Sequence, residues 1–130
     1  MATRRSGGYN PLEAPDPAEW LLLDEAERIR LVEHYHRRAR IRMPNIKAHA
    51  AIHAVVENQI AHGDEIPVRA TLDRLMAEGL DRHEAIHAIG LVLSEHIYDL
   101  VQAPEPKPDS NETYYTALER LTAEYWRHSR

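Results

Sequence analysis

Two histidine pairs constrain this chain more than any other feature: His49-Ala50-Ala51-Ile52-His53 and His83-Glu84-Ala85-Ile86-His87. In an α-helix, residues four apart share a face, with Cβ atoms ~5–6 Å apart. Each pair therefore aims two imidazoles at one point if its stretch is helical. The stretches also echo one another at a constant offset, His49 with His83, Ala51 with Ala85, Ile52 with Ile86 and His53 with His87.

The flanking patterns support helices. Asp16-Pro17-Ala18-Glu19 places a cap, a first-turn proline and an acid, and Asp24-Glu25-Ala26-Glu27 repeats the capping grammar before a longer helix over 24–41. Leu21, Ile29, Leu31, Val32 and Tyr35 supply the apolar face of this region. Its end gathers Arg37, Arg38, Arg40 and Arg42, which complement a helix dipole. Pro44-Asn45 opens the next helix, which runs to about His62 and stops at Gly63. Its stripe is Ile46, Ile52, Val56 and Ile60, with His49, His53 and Glu57 beside it. A short helix follows Pro67, and Asp81 caps the central one, 82–102, whose buried side is read as Leu80, Ile86, Ile89, Leu93, Ile97 and Val101. Pro104, Pro106 and Pro108 make 103–109 a stiff spacer. A last helix over 110–130, opened by Asp109-Ser110-Asn111-Glu112, presents Tyr114, Leu118, Leu121 and Tyr125 to its own domain or to a partner subunit. Residues 1–15, without apolar period, read as a flexible arm. No stretch alternates with period two. The sequence thus predicts an all-α, single-domain bundle of four main helices and two short ones, its core within 16–102.

Composition narrows the chemistry. With no Cys, thiolate zinc sites, disulfides and iron–sulfur clusters are excluded, so any metal is held by His, Asp or Glu. A net charge of −5 argues against nucleic acid as partner. No apolar run reaches the ~18 residues of a membrane helix, and the chain reads as cytoplasmic.

His49, His53, His83 and His87 are the candidate metal ligands, zinc being the first choice and iron or manganese the alternatives. Glu57, one turn beyond His53, and Glu95, two turns beyond His87, are candidate carboxylate ligands or acceptors that orient a ligand. Glu84 completes H-E-x-x-H and is the candidate general base of a hydrolase, although its place after Asp81 is equally that of a capping acid. A zinc peptidase is disfavoured because Leu93 occupies the next ligand position. Glu33…His36 and Glu84…His87 are both E-x-x-H pairs, but their order does not match a di-iron carboxylate bundle. Ligand imidazoles must be neutral, so a metal site here predicts stability falling from pH 7 to 5, with a chelator flattening that slope.

On His49…His53, His83-Glu84-Ala85-x-His87, Leu93, Glu95, Ile97 and Tyr98, the chain resembles the small bacterial family called domain of unknown function 1841 over residues 45–100. Gln59 also matches, while the acid beside it is shifted to Glu57. The resemblance implies the paired-helix site and carries no activity. The reading is a metal-binding helical protein, with a metal-dependent hydrolase of unknown substrate as its enzymatic form. The alternative is a structural or interaction module, for which homo-oligomerisation through the C-terminal helix is one arrangement.

Overall fold

The computed structural model describes residues 8–41, 45–105 and 110–129. The chain is all-α, and no strand occurs among these residues. In order, the helices are α1 (Pro17–Leu22), α2 (Glu25–Arg38), α3 (Ile46–Ala61), α4 (Val68–Ala77), α5 (Arg82–Gln102), α6 (Ser110–Arg120) and α7 (Ala123–Ser129), with a single 3₁₀ turn at Gly63–Glu65. None of the described helices is long and apolar enough to cross a membrane.

Helix starts follow the caps in the sequence. Asp16, Asp24, Asn45 and Asp81 each accept the backbone N–H three residues on, from Glu19, Glu27, Ala48 and Glu84, at 2.8–3.0 Å. Such a cap contributes ~1 kcal/mol. Gly63, at φ 69°, takes the left-handed position that ends α3.

The core has two parts. The larger joins α3, α4, α5 and α6 through Val56, Val68, Leu72, Leu75, Ile86, Ile89, Leu93, Leu118 and Leu121. The smaller gathers Tyr9, Trp20, Val32, Ala50 and Ala54 where α1 and α2 lie on α3. Gly90 lets α3 and α5 approach closely, since a Cβ there would stand 3.2 Å from Cγ2 of Ile52. Trp20 donates its indole N–H to Oδ1 of Asn58 at 2.8 Å, locking α1 to α3.

Three expectations are corrected. Residues 8–15 are not a flexible arm: Tyr9 and Pro11 are buried, because the Tyr9 ring packs on Trp20 and the Pro11 carbonyl accepts from the Arg82 guanidinium at 2.8 Å. The apolar period of α5 outruns the core, leaving Ile97 and Val101 exposed at 40% and 73%. The C-terminal helix is two helices. Thr122 caps α7 by accepting the Tyr125 N–H, and the Arg74 guanidinium takes the carbonyls of Leu118 and Leu121 that a continuing helix would use. Tyr114, Leu118 and Leu121 are buried within the chain, and Tyr125 is exposed. Residues 1–7 of that arm, and Arg42, Pro44, Pro106, Pro108 and Asp109, cited above, lie outside the described residues.

Candidate metal centre

The amphipathic faces of α2, α3 and α5 meet at histidine rather than at leucine. His36 of α2, His49 and His53 of α3 and His87 of α5 each bring one ring nitrogen into a group whose members all lie within 4.8 Å of one another. His36 and His53 are fully buried, and His49 and His87 are half-buried. Such a group can hold a metal ion.

The proton inventory sharpens this. Nδ1 of His36 donates to the Val32 carbonyl at 2.8 Å, and burial lowers the pKa of His36, so its ring is neutral and its Nε2 is a bare lone pair. Nε2 of His49 lies 3.2 Å from Nε2 of His36 and 3.0 Å from Nε2 of His87. Between neutral rings only one of those two contacts can be a hydrogen bond. If Nε2 of His49 carries a proton, that proton serves one neighbour; if it does not, two lone pairs face each other across the His36 contact. A cation between the rings satisfies both. Zinc with nitrogen arms of ~2.0–2.1 Å sets tetrahedral ligands about 3.3 Å apart, close to the spacing here.

His53 is aimed by a buried relay. Glu57 and Arg82 form a bidentate pair, Nη1 to Oε2 and Nη2 to Oε1, each 2.8 Å, with the side chains 1% and 5% exposed. The Tyr9 hydroxyl donates to Oε2 of Glu57. Burial, and then the charge of Glu57, holds the Tyr9 pKa well above its ordinary value, so the phenol keeps its proton. With that proton committed to Glu57, the 2.8 Å contact between Nε2 of His53 and the Tyr9 oxygen requires the imidazole to donate. Nδ1 of His53 is left as a buried lone pair with no hydrogen-bond partner. A ligand histidine donating its second nitrogen toward a carboxylate is common in metal sites, and here a tyrosine is interposed. Burial opposes the Arg82 charge, but its hydrogen bonds and attraction to Glu57 prevail and raise its pKa.

His83 borders the group without belonging to it. Its ring centroid is 4.2 Å from that of His87 and 5.2 Å from that of His36, and its Nε2 is buried without a hydrogen-bond partner. Burial drives every ring of the cluster toward the neutral form. The pKa falls to about 4 for His49 and His83, to about 3 for His87, and well below the usual range for His53; cationic neighbouring imidazoles would add to each shift. Neutral imidazole is the metal-binding form.

His49, His53 and His87 therefore meet, and His36 completes the group in the position the sequence assigns to His83. Glu57 is not a ligand, because Arg82 and Tyr9 engage its two oxygens; it orients His53 instead. Glu95 is exposed on a groove with Val92, Glu112 and Thr116, on the α6 side of α5, and is no ligand. The Glu84 backbone N–H donates to the Asp81 carboxylate, as helix grammar requires, and no carboxylate belongs to the nitrogen group. The signal for His36 was its place four residues after Val32 on the buried face of α2. Tyr9 and Arg82 carried none.

Beside the cluster lies a cavity of about 360 Å³, lined by His49, His53 and His87 together with Ile52, Ile86 and Leu91. No family model, curated protein or solved structure matches this chain.

Proposed function

We propose that this protein binds one divalent transition-metal ion through Nε2 of His36, His49 and His87 and the free nitrogen of His53. Zinc is the first choice, because a compact set of imidazoles suits its tetrahedral preference; iron and manganese, which favour carboxylate-containing sets, follow. The single observation that carries the reading is the pair of Nε2 contacts at 3.0 and 3.2 Å, which neutral rings cannot both turn into hydrogen bonds. The site joins α2, α3 and α5, so bound metal ties the N-terminal third of the chain to the central helix. The likeness to the domain of unknown function 1841 family belongs to the same proposal, since its paired-helix motif supplies three of the four nitrogens.

A metal-dependent hydrolase is the second reading, favoured by the cavity that reaches three of the four histidines. Bound metal would supply Lewis acidity there. The candidate base of this reading is Glu84, since the carboxylate of Glu57 is engaged by Arg82 and Tyr9. The structural role is the better supported.

The test is elemental analysis of protein purified without a histidine tag, with His36→Ala and His87→Ala alongside. Near-stoichiometric transition metal in the parent, and its loss from both variants, is the expected result. Parent protein that takes up no zinc, cobalt, iron or manganese in calorimetric titration would overturn the proposal.

A further inference from the structure

The four nitrogens carry no compensating charge. Neutral imidazoles contribute none, among the described residues no carboxylate belongs to the group, and the nearby carboxylate of Glu57 is already neutralised by Arg82. A dication held there keeps its full charge in a setting where His36 and His53 are fully buried. An ion taken out of water is costly unless it is paired. The cavity supplies a place where a counter-charge can come from outside the chain. Three of the four histidines line it, and the rest of its wall is largely apolar, with Ile52, Ile86 and Leu91 beside Ser94 and Trp126. His53, 1% exposed and with an unpartnered Nδ1, borders the same space. At about 360 Å³ the cavity stands at the small end of ligand sites.

We infer that this cavity is a binding site for a small monocarboxylate with an apolar chain, its carboxylate facing the histidine-held metal and its hydrocarbon lying against Ile52, Ile86 and Leu91. The inference rests on the metal-binding reading. The charge selects an anion, and the wall selects an apolar body over a polar one. A cation of the same shape keeps the apolar body but meets the metal with a charge of like sign, which opposes its binding.

The full chain is loaded with Co²⁺, whose visible bands report changes at the metal, and titrated with acetate, butyrate and hexanoate, and with n-butylammonium as the cationic control. Saturable band changes are expected with the carboxylates and none with n-butylammonium. At ~0.8 kcal/mol per buried CH₂, affinity should rise roughly fourfold per methylene until the cavity is full, about 15-fold from acetate to butyrate. Leu91→Trp, which fills the cavity from a half-buried wall position, should keep Co²⁺ and weaken butyrate at least tenfold. The chain-length series decides the matter if that variant does not fold. Co²⁺-loaded protein on which all three carboxylates leave the spectrum unmoved and release no binding heat in calorimetric titration overturns this inference and leaves metal binding standing, and so does equal affinity for acetate and hexanoate. Failure to take up Co²⁺, zinc, iron or manganese overturns both.

Discussion

The histidine cluster should make this protein acid-sensitive even without metal, and the size of the effect follows from burial. His36 and His53 are 0% and 1% exposed, and desolvation lowers the pKa of both. In the unfolded chain a histidine titrates near ~6.5. The folded values lie below the unfolded one, so on acidification the unfolded state takes up protons that the folded state refuses. Stability is thus fully present above about pH 6.5 and falls as pH drops toward the folded values, which are about 4 for His49 and His83. Each neutral-held ring contributes ~1.4 kcal/mol per pH unit once the unfolded form is mostly protonated. Between pH 7.5 and 5.5 the fully buried His53 accounts for about 1.4 kcal/mol, and half weight for His49, His83 and His87 brings the loss to about 3 kcal/mol, to which His36 adds in the same direction. Total stabilities of single domains are ~5–15 kcal/mol, so the effect is large. The assay is urea unfolding followed by far-UV circular dichroism at pH 7.5, 6.5 and 5.5, on protein kept metal-free with chelator. A loss below ~1.5 kcal/mol, one ring's worth, would show that the imidazoles protonate inside the fold and would refute the reasoning. Metal adds a further stabilisation of RT ln(1 + [M]/Kd) at neutral pH, which protons compete away on acidification. A chelator should therefore lower and partly flatten the curve without abolishing the slope, whereas the ligand argument from sequence alone assigned the slope to the metal.

Four shorter expectations follow from the surrounding structure. Glu57→Gln and Arg82→Met each leave one side of a buried pair alone and should cost about 3–5 kcal/mol by urea unfolding, while joining Glu57→Leu to Arg82→Met should recover much of the loss. Tyr9→Phe removes the oxygen that receives the His53 N–H and should weaken metal binding ~10–100-fold in competition titrations, with the helical circular dichroism signal unchanged. Arg40 closes α2 at φ 61°, so Arg40→Gly should stabilise by ~0.5–1 kcal/mol in thermal melts. Glu84→Gln should leave metal content unchanged in elemental analysis, because no described carboxylate belongs to the nitrogen group.

What the sequence made legible follows from the range of each interaction. His49 with His53, and His83 with His87, are near neighbours along a single helix, so spacing alone puts each pair on one face. The caps at Asp16, Asp24, Asn45 and Asp81 are local in the same way. His36 has its histidine partners on other helices, 13 positions away for His49, and its own helix offered only Val32 and Glu33 as near companions. The alternation of apolar residues likewise says that α5 has a face, but not where the neighbouring helix stops covering it. Ile97 and Val101 keep the period and stand in solvent for that reason.

The relay behind His53 was illegible for a stronger physical reason. Tyr9 lies 44 positions from His53, and Arg82 lies 25 from Glu57. Each of these residues has an ordinary local reading: a lone aromatic among Gly and Pro, a cation at a helix start, an acid on a helix flank. Only burial turns them into one unit, because a carboxylate that is 1% exposed must find a cation and a buried phenol must find an acceptor. The consequence reaches the site itself. Glu57 looked like a ligand because it sits one turn beyond His53, yet the Arg82 charge removes it from that role. The same pair fixes which His53 nitrogen remains free to bind, so an acid misread as a ligand proves to be the group that orients one.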